Sequence, residues 1–370
     1  MAGTQARRQV RVGVYNIDEM IGAGSFAKVF RGQHRVSRQV VAVKAISRAR
    51  LNKKLMENLE SEISILKALE HPNIVCLHDI QVTERHIYLI LEYCAGGDLT
   101  HVLRTHGPIS EWRAQQYLAQ LADGLSALRR HNLVHRDLKP HNILLNKDCE
   151  LRLADFGLAR HLAVGDQQAS DDQRLLTMYV TTRWYRAPEL LCLNESYSTA
   201  VDMWSVGCIL AEMLGRRALF PGRDYLDQIR LIIECLGTPS ETDLAQLQNQ
   251  RAAQYIQRLP ARPKTPFAEV YPTASPAALD LLERLLQFDP ARRCTAAEAL
   301  RHPYLAAYHD EVIEGANAQT HAMIGRLFDP GADGSLESLR ARIFAEAQYY
   351  QGAAMQPYAQ PGHPDPAEAV

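Results

Sequence analysis

The sequence predicts an α+β protein in two compact parts, a small strand-rich one followed by a larger, mainly helical one. Three observations predict this. At 370 residues the chain exceeds what one hydrophobic core usually organises. From Tyr15 to Tyr93, short apolar runs bounded by polar residues dominate, with a single helical interruption. From Ser110 onward, apolar residues recur at helical spacing.

Taken in order, residues 1–12 are polar and basic and are expected to be disordered. Within 13–95, VAVKAI (41–46) and IYLILEY (87–93) read as buried strands. Between them, KLMENLESEISILKAL (54–69) places Leu55, Leu59, Ile63, Leu66 and Leu69 on one stripe, a helix stopped at His71-Pro72-Asn73. The helical part spans 96–310. Its first long helix opens with Ser110 as N-cap and carries Tyr117, Leu121, Leu125 and Leu128 on its apolar face. Apolar helices follow at 201–214 and 275–288. Residues 237–275, rich in Pro, Gln and Ala, read as an insertion with little core of its own. An extension over 311–350 ends in a helix from 335, and 351–370 is a low-complexity, disordered tail.

Charge and cysteine usage exclude several classes. The 41 basic and 42 acidic residues leave a net charge of −1, which argues against nucleic acid as the main partner. The seven cysteines are scattered and form no C-x-x-C pair, a poor framework for disulfides or zinc. The N-terminal segment has no apolar core of a signal peptide, and no apolar run is long enough to span a bilayer. A soluble intracellular protein without membrane insertion is expected.

The chemistry is carried by a few local patterns. Gly22-Ala23-Gly24-Ser25-Phe26, with Val29 after it, follows an extended segment, and glycines there let backbone N–H groups approach phosphate oxygens. Lys44 ends the apolar run 41–44 and needs either water or an anionic partner. Glu62, on the inner stripe of the following helix, is the candidate; a plain helix-to-strand salt bridge is the alternative. His135-Arg136-Asp137-Leu138-Lys139-Pro140-His141-Asn142 puts a carboxylate, an ammonium and an amide within one loop. Phosphoryl transfer needs such parts: Asp137 to orient and deprotonate a hydroxyl, Lys139 to offset phosphate charge, and Asn142 to bind a metal ion. Asp155-Phe156-Gly157 adds a second oxygen ligand for Mg²⁺.

With these motifs in this order, the chain from Tyr15 to Tyr304 resembles a eukaryotic protein kinase. The resemblance implies the bilobal kinase fold, ATP and Mg²⁺ as cofactors, and a nucleotide site drawn from Ile21, Gly22, Ala23, Gly24, Ser25, Phe26, Val29, Ala42, Lys44 and Glu62. Leu91 would be the gatekeeper, Glu92 to Cys94 the adenine-binding hinge, and Asn142 and Asp155 the metal ligands. Ala187-Pro188-Glu189 closes the activation segment, with Arg293 as the implied partner of Glu189, and Asp202 resembles the aspartate that braces the catalytic loop. His101, His106 and His131 read as ordinary histidines rather than metal ligands. A pseudokinase scaffold is the rival class, and it predicts loss of one of Lys44, Asp137, Asn142 or Asp155, none of which is lost.

Two kinase resemblances divide the chain. Residues 141–350 resemble a mitogen-activated protein kinase through NILLNKDCELRLADFGLAR, Thr177-Met178-Tyr179, TTRWYRAPELL and PGRDYLDQIRLIIECLGTPS. Residues 13–140 resemble the autophagy-initiating kinases through GSFAKVFRGQH, LILEYCAGGDL and NLVHRDLKP. The first resemblance implies activation by phosphorylation at Thr177, read by Arg136 and Arg160, and at Tyr179, read by Arg183 and Arg186. It also implies Ser/Thr-Pro protein substrates, an upstream activating kinase and phosphatases, a monomer, and a cytoplasmic or nuclear location. An acidic docking patch at Asp310, Glu311 and Glu314 is only weakly patterned and reads as solvated surface.

Overall fold

The computed structural model describes residues 10–24, 27–105, 109–162, 182–192, 198–245, 247–308 and 335–353. They divide into two compact units, one drawn from 1–60, 77–93 and 333–370, the other from 61–76 and 94–332.

The first unit is built on a six-stranded antiparallel sheet. Its strands are β1 (Val10–Val12), β2 (Tyr15–Ala23), β3 (Ala27–His34), β4 (Val40–Ser47), β5 (Leu77–Val82) and β6 (His86–Glu92), in the order β1-β2-β3-β4-β6-β5. Alternation sends Val41 and Val43 to one face, where they cluster with Tyr15, Ile17, Ile90 and Val12. The expectation of disorder up to residue 12 is therefore corrected: Val10–Val12 pairs with Tyr15–Ile17. A three-residue strand is too short for a periodic signal, and it is the burial of Val12 in that cluster that holds it. Gly13 makes the turn with φ +52°, and a Cβ there would meet the Gln81 side chain at 2.6 Å.

Helix α1 (Lys53–Ala68) is continuous; its turns up to Glu60 belong with the sheet and those from Ser61 with the helical unit. The C-terminal helix, Leu336–Ala353, also belongs with the sheet, where it lies against β5.

The second unit begins with β7 (Gly97–Asp98), α2 (Leu99–Thr105) and α3 (Glu111–Arg130). The Ser110 hydroxyl accepts from the Arg113 N–H and caps α3. The short strands β8 (Leu133–Val134), β9 (Ile143–Leu145), β10 (Leu151–Leu153) and β11 (Arg160–His161) pair as β10-β9-β7 and β11-β8. The helices α4 (Pro188–Leu191), α5 (Ala200–Gly215) and α6 (Tyr225–Leu236) follow. Helix α5 is buried on nearly every side, as a helix apolar all round must be. A Cβ at its Gly207 would sit 2.8 Å from Leu286, so only glycine allows this approach.

Residues 237–275 correct a second expectation. They form α7 (Glu241–Ala245), α8 (Gln250–Arg258) and α9 (Phe267–Val270), and they bury Leu244, Ile256, Phe267 and Tyr271. These helices are too short to show a stripe, so each contributes one or two anchors that read singly in the sequence. The unit closes with α10 (Pro276–Leu285), capped by Ser275, and α11 (Ala296–Arg301), where Thr295 and Glu298 form a capping box.

Candidate active site

Each unit gathers part of the expected set. In the sheet, the register pairs Val29 with Lys44, Lys44 with Leu89, and Ala42 with Leu91. Residues paired directly across strands share a face, so Val29, Ala42, Lys44 and Leu91 share one. It is the face opposite Val41 and Val43, to which the pairing of Val41 with Glu92 assigns Glu92. Gly22 and Ala23 pair with Val29 and Lys28, and the Gly24 N–H donates to the Ala27 carbonyl at 2.8 Å, closing the hairpin. Ser25 and Phe26 lie outside the described residues. Ile21 is exposed on β2, Cys94 opens the turn closed by the Gly97 N–H, and Glu62 is buried on α1.

In the helical unit, the loop 135–142 joins β8 to β9 and its backbone hangs on one carboxylate. Asp202, on α5, accepts the His135 N–H at 2.8 Å and the Arg136 N–H at 2.9 Å. Burial raises the Asp202 pKa above its ordinary value, while His135 and the two N–H donors pull it back. Between these bonds Arg136 takes the left-handed conformation, φ +68°, a strain of about 1–3 kcal/mol that a fixed anchor must over-determine.

Asp137, 8% exposed, and Asn142, 7% exposed, face each other inside this loop. Lys139 Nζ donates to Asp137 Oδ2 at 2.6 Å, and Asn142 Nδ2 donates to the Asp137 carbonyl at 2.8 Å and to Oδ2 at 3.2 Å. With its nitrogen committed to Asp137, the Asn142 amide has its oxygen left as a possible ligand. The Asn142 carbonyl accepts the Ala154 N–H at 3.0 Å, tying the loop to the residue that follows β10. Asp155 follows, exposed, and also left-handed at φ +65°. An amide oxygen and a carboxylate are hard donors that fit Mg²⁺.

His135 has a role that its motif did not reveal. Its Nε2 lies 3.1 Å from the Ala154 carbonyl, which can only accept, so Nε2 carries the proton. Its Nδ1 then accepts the Asp137 N–H at 3.3 Å, and its ring packs on Phe156 at 5.0 Å. One buried histidine thus pins the backbone of Asp137 to the residue before Asp155.

The remaining expected residues surround this core. Arg136 Nε donates to the Leu158 carbonyl at 2.7 Å, and Arg160 Nη1 to the Ala159 carbonyl at 2.7 Å. Arg183 Nη1 donates to the Arg223 carbonyl at 2.8 Å. Arg186 is half-buried; desolvation lowers its pKa, and the Asp137 carboxylate opposes that shift. Thr177 and Tyr179 lie outside the described residues, as do His106, Asp310, Glu311 and Glu314.

Residues 182–192 are anchored from several sides. Trp184 Nε1 donates to the Gly222 carbonyl at 3.1 Å. Tyr185 donates to Glu212 Oε2 at 2.6 Å, a pair that sequence reasoning missed because its halves lie on separate elements. Glu189 takes both Arg293 Nη groups, at 2.8 and 3.1 Å, as the motif order implied. Among the described residues, no group of three or more His, Cys, Asp or Glu side chains could hold a metal ion.

Comparison with known proteins agrees with this geometry. The protein kinase domain family matches residues 15–305. Mitogen-activated protein kinase 2 of Pneumocystis carinii is 42% identical over 315 residues, covering 83% of this chain and 88% of that protein. Mitogen-activated protein kinase spm1 of Cytospora mali is 41% identical over 303 residues, 80% of this chain and 71% of its own. Mitogen-activated protein kinase 5 of Oryza sativa subsp. japonica is 42% identical over 295 residues, 78% of each chain. The chain belongs to the protein kinases, and within them to the mitogen-activated serine/threonine type. A match of 303 residues is longer than the stretch from 141 to 350, so the likeness to mitogen-activated kinases also takes in part of the chain that resembles autophagy-initiating kinases. Kinases of this family use ATP and Mg²⁺, and the mitogen-activated type acts on proteins under the control of upstream kinases and phosphatases. No described helix is long and apolar enough to cross a membrane.

Proposed function

We propose that this kinase is proline-directed and is switched on by phosphorylation of Thr177 and Tyr179. Mg²⁺ and ATP supply the phosphoryl group and the neutralisation of its oxygens. Asp137 orients the substrate hydroxyl and takes its proton as the oxygen–phosphorus bond forms and the bond to the bridging oxygen of ADP breaks. Lys139 offsets charge on the phosphates. Asn142 and Asp155 would hold Mg²⁺, which would neutralise the phosphate oxygens; Lys44 would take the α- and β-phosphates, and Glu62 belongs to the same nucleotide-site set. Ile21, Gly22, Ala23, Gly24, Ser25, Phe26, Val29, Ala42, Leu91, Glu92 and Cys94 contact the nucleotide. The observation that carries this assignment is Asp137 itself, whose Oδ2 is held by Lys139 and Asn142 in a loop suspended from Asp202.

The anchoring of Trp184 and Tyr185 supports a preformed pocket for the residue after the phosphoacceptor, bounded by Arg186. Arg136 and Arg160 would receive a phosphate on Thr177, and Arg183 and Arg186 one on Tyr179, ordering the segment through charge-assisted forks. The enzyme works as a monomer, in the cytoplasm and nucleus.

The test is transfer to a Ser-Pro peptide and its Ser-Ala counterpart, before and after treatment with an activating kinase. Wild type should prefer Ser-Pro and respond to activation. Thr177→Ala/Tyr179→Phe should not respond, and Arg186→Ala should lose the proline preference. A double variant activated like wild type would end the activation reading, and an unchanged preference in Arg186→Ala would end the specificity reading.

A further inference from the structure

The residues just before α6 are tied to the segment that bounds the proposed proline pocket. Arg183 Nη1 donates to the Arg223 carbonyl at 2.8 Å, and Trp184 Nε1 to the Gly222 carbonyl at 3.1 Å. Gln228, on α6, closes the joint: its Nε2 donates to the Trp184 carbonyl at 3.3 Å and its Oε1 accepts the Gly222 N–H at 3.1 Å. A Cβ at Gly222 would lie 2.7 Å from the Gln228 Cα, so the approach requires glycine. Arg223 is therefore held against residues 183 and 184 by backbone and side-chain bonds together.

Its own side chain is rooted but open. The Arg223 N–H and Nε both donate to Asp227 Oδ2, at 3.0 and 3.2 Å. The other oxygen of Asp227 is taken by Arg230 Nη2 at 2.7 Å, so one carboxylate serves two cations. The remaining acid of this turn, Asp224, is engaged as the N-cap of α6. Arg223 is nevertheless 84% exposed, and its two terminal nitrogens donate to no described residue. So open an ion pair adds little to stability. What it leaves is a guanidinium fixed at one end, with two donors facing water in the geometry that a carboxylate accepts.

The position of this group gives it a use. Arg186 lies within electrostatic reach of both Asp137 and Arg183, and Arg183 touches Arg223. Asp137, Arg186, Arg183 and Arg223 are thus connected stepwise, from the base outward. We infer that Arg223 is a specificity-determining residue, which takes an acidic side chain two or three positions after the phosphoacceptor. A substrate whose hydroxyl meets Asp137 and whose proline lies beside Arg186 runs on past Trp184 to the Gly222–Arg223 turn. This rests on the reading of that pocket as the proline site, and it narrows the substrates to Ser/Thr-Pro sites with acidic residues following.

The experiment uses the full chain, treated with an activating kinase, as wild type, Arg223→Ala, Arg223→Lys and Arg223→Glu. Peptides carry Ser-Pro-Glu-Glu, Ser-Pro-Ala-Ala, Ser-Pro-Lys-Lys or Ser-Ala-Glu-Glu, and kcat and KM are read separately. Wild type should favour Ser-Pro-Glu-Glu over Ser-Pro-Ala-Ala about three- to fivefold, through KM, and less so at high salt. Arg223→Ala should treat the two alike, Arg223→Lys should keep part of the preference, and Arg223→Glu should favour Ser-Pro-Lys-Lys. A wild type indifferent to acid, or an acid preference that survives in Arg223→Ala, would overturn the assignment. So would an Arg223→Ala that loses activation equally on every peptide, which would place Arg223 with the activation segment instead. Equal use of Ser-Pro-Glu-Glu and Ser-Ala-Glu-Glu by wild type would end the proline reading alone, since the acid preference and its loss in Arg223→Ala are read independently of it.

Discussion

Two carboxylate–guanidinium forks hold two parts of this kinase, and they differ in almost everything but their geometry. Glu189 and Arg293, at 4% and 0% exposure, are sealed in the helical unit, and the guanidinium also donates to the Ala200 carbonyl at 2.7 Å. It lies 5.2 Å from the Trp204 ring, so it is satisfied by charge, backbone and aromatic face together. Glu60 and Arg342 meet in partial solvent, where Arg342 also donates to Ser338 Oγ. A sealed fork can only be kept or broken. A half-exposed one can be weakened by salt, by a neighbouring charge or by a modest shift of the helix. The segment ending in Glu189 is thereby fixed, while the Glu60–Arg342 contact stays adjustable.

The largest expected effect comes from breaking the sealed fork. Arg293→Ala leaves the Glu189 carboxylate buried without its partner and should cost about 3–5 kcal/mol of stability. Chemical denaturation of the full chain reads this directly; a loss within about 0.5 kcal/mol, as at ordinary surface sites, would remove the contrast.

A smaller effect sharpens the comparison through pH. His302 holds the Asp280 carboxyl below its ordinary pKa, and the Thr295 N–H and hydroxyl do the same for Glu298. A carboxylate with a depressed folded pKa contributes stability above its unfolded value and loses it as pH falls through the folded one. Burial gives Asp202 a raised pKa, and its contribution runs the other way, lost as pH rises through the folded value. Melting temperatures of wild type and Asp280→Asn/Glu298→Gln should therefore differ at neutral pH and converge in acid. A gap that stays constant down to the acid end would show that these two charges are not the source.

The parts of the site read directly from the sequence were those whose chemistry is local in the chain. Asp137, Lys139 and Asn142 lie within six residues, so one loop brings them together, and strand alternation is enough to put Val29, Ala42 and Lys44 on one face. Glu189 and Arg293 were paired across the chain only because the family resemblance supplied the partner. What stayed hidden depends on tertiary packing. The bond of Tyr185 to Glu212 joins separate elements, and Arg342 and Glu60 are 282 positions apart, with no periodicity to link them. The strand at Val10–Val12 and the anchors Ile256 and Phe267 sit in segments too short to show a pattern. One helix cap, by contrast, was legible: Ser110 stands where a hydroxyl precedes an apolar run, and it caps α3.

The central claim is that Asp137, suspended from Asp202 and held by Lys139 and Asn142, takes the hydroxyl proton during phosphoryl transfer. The most direct measurement is transfer of labelled γ-phosphate from Mg²⁺-ATP to a Ser-Pro peptide by wild type and by Asp137→Asn. The variant preserves the side-chain volume and the fold but removes the base. The account predicts a loss of kcat of about a hundredfold or more, with nucleotide affinity and melting temperature close to wild type. Equal kcat in the two proteins would contradict it.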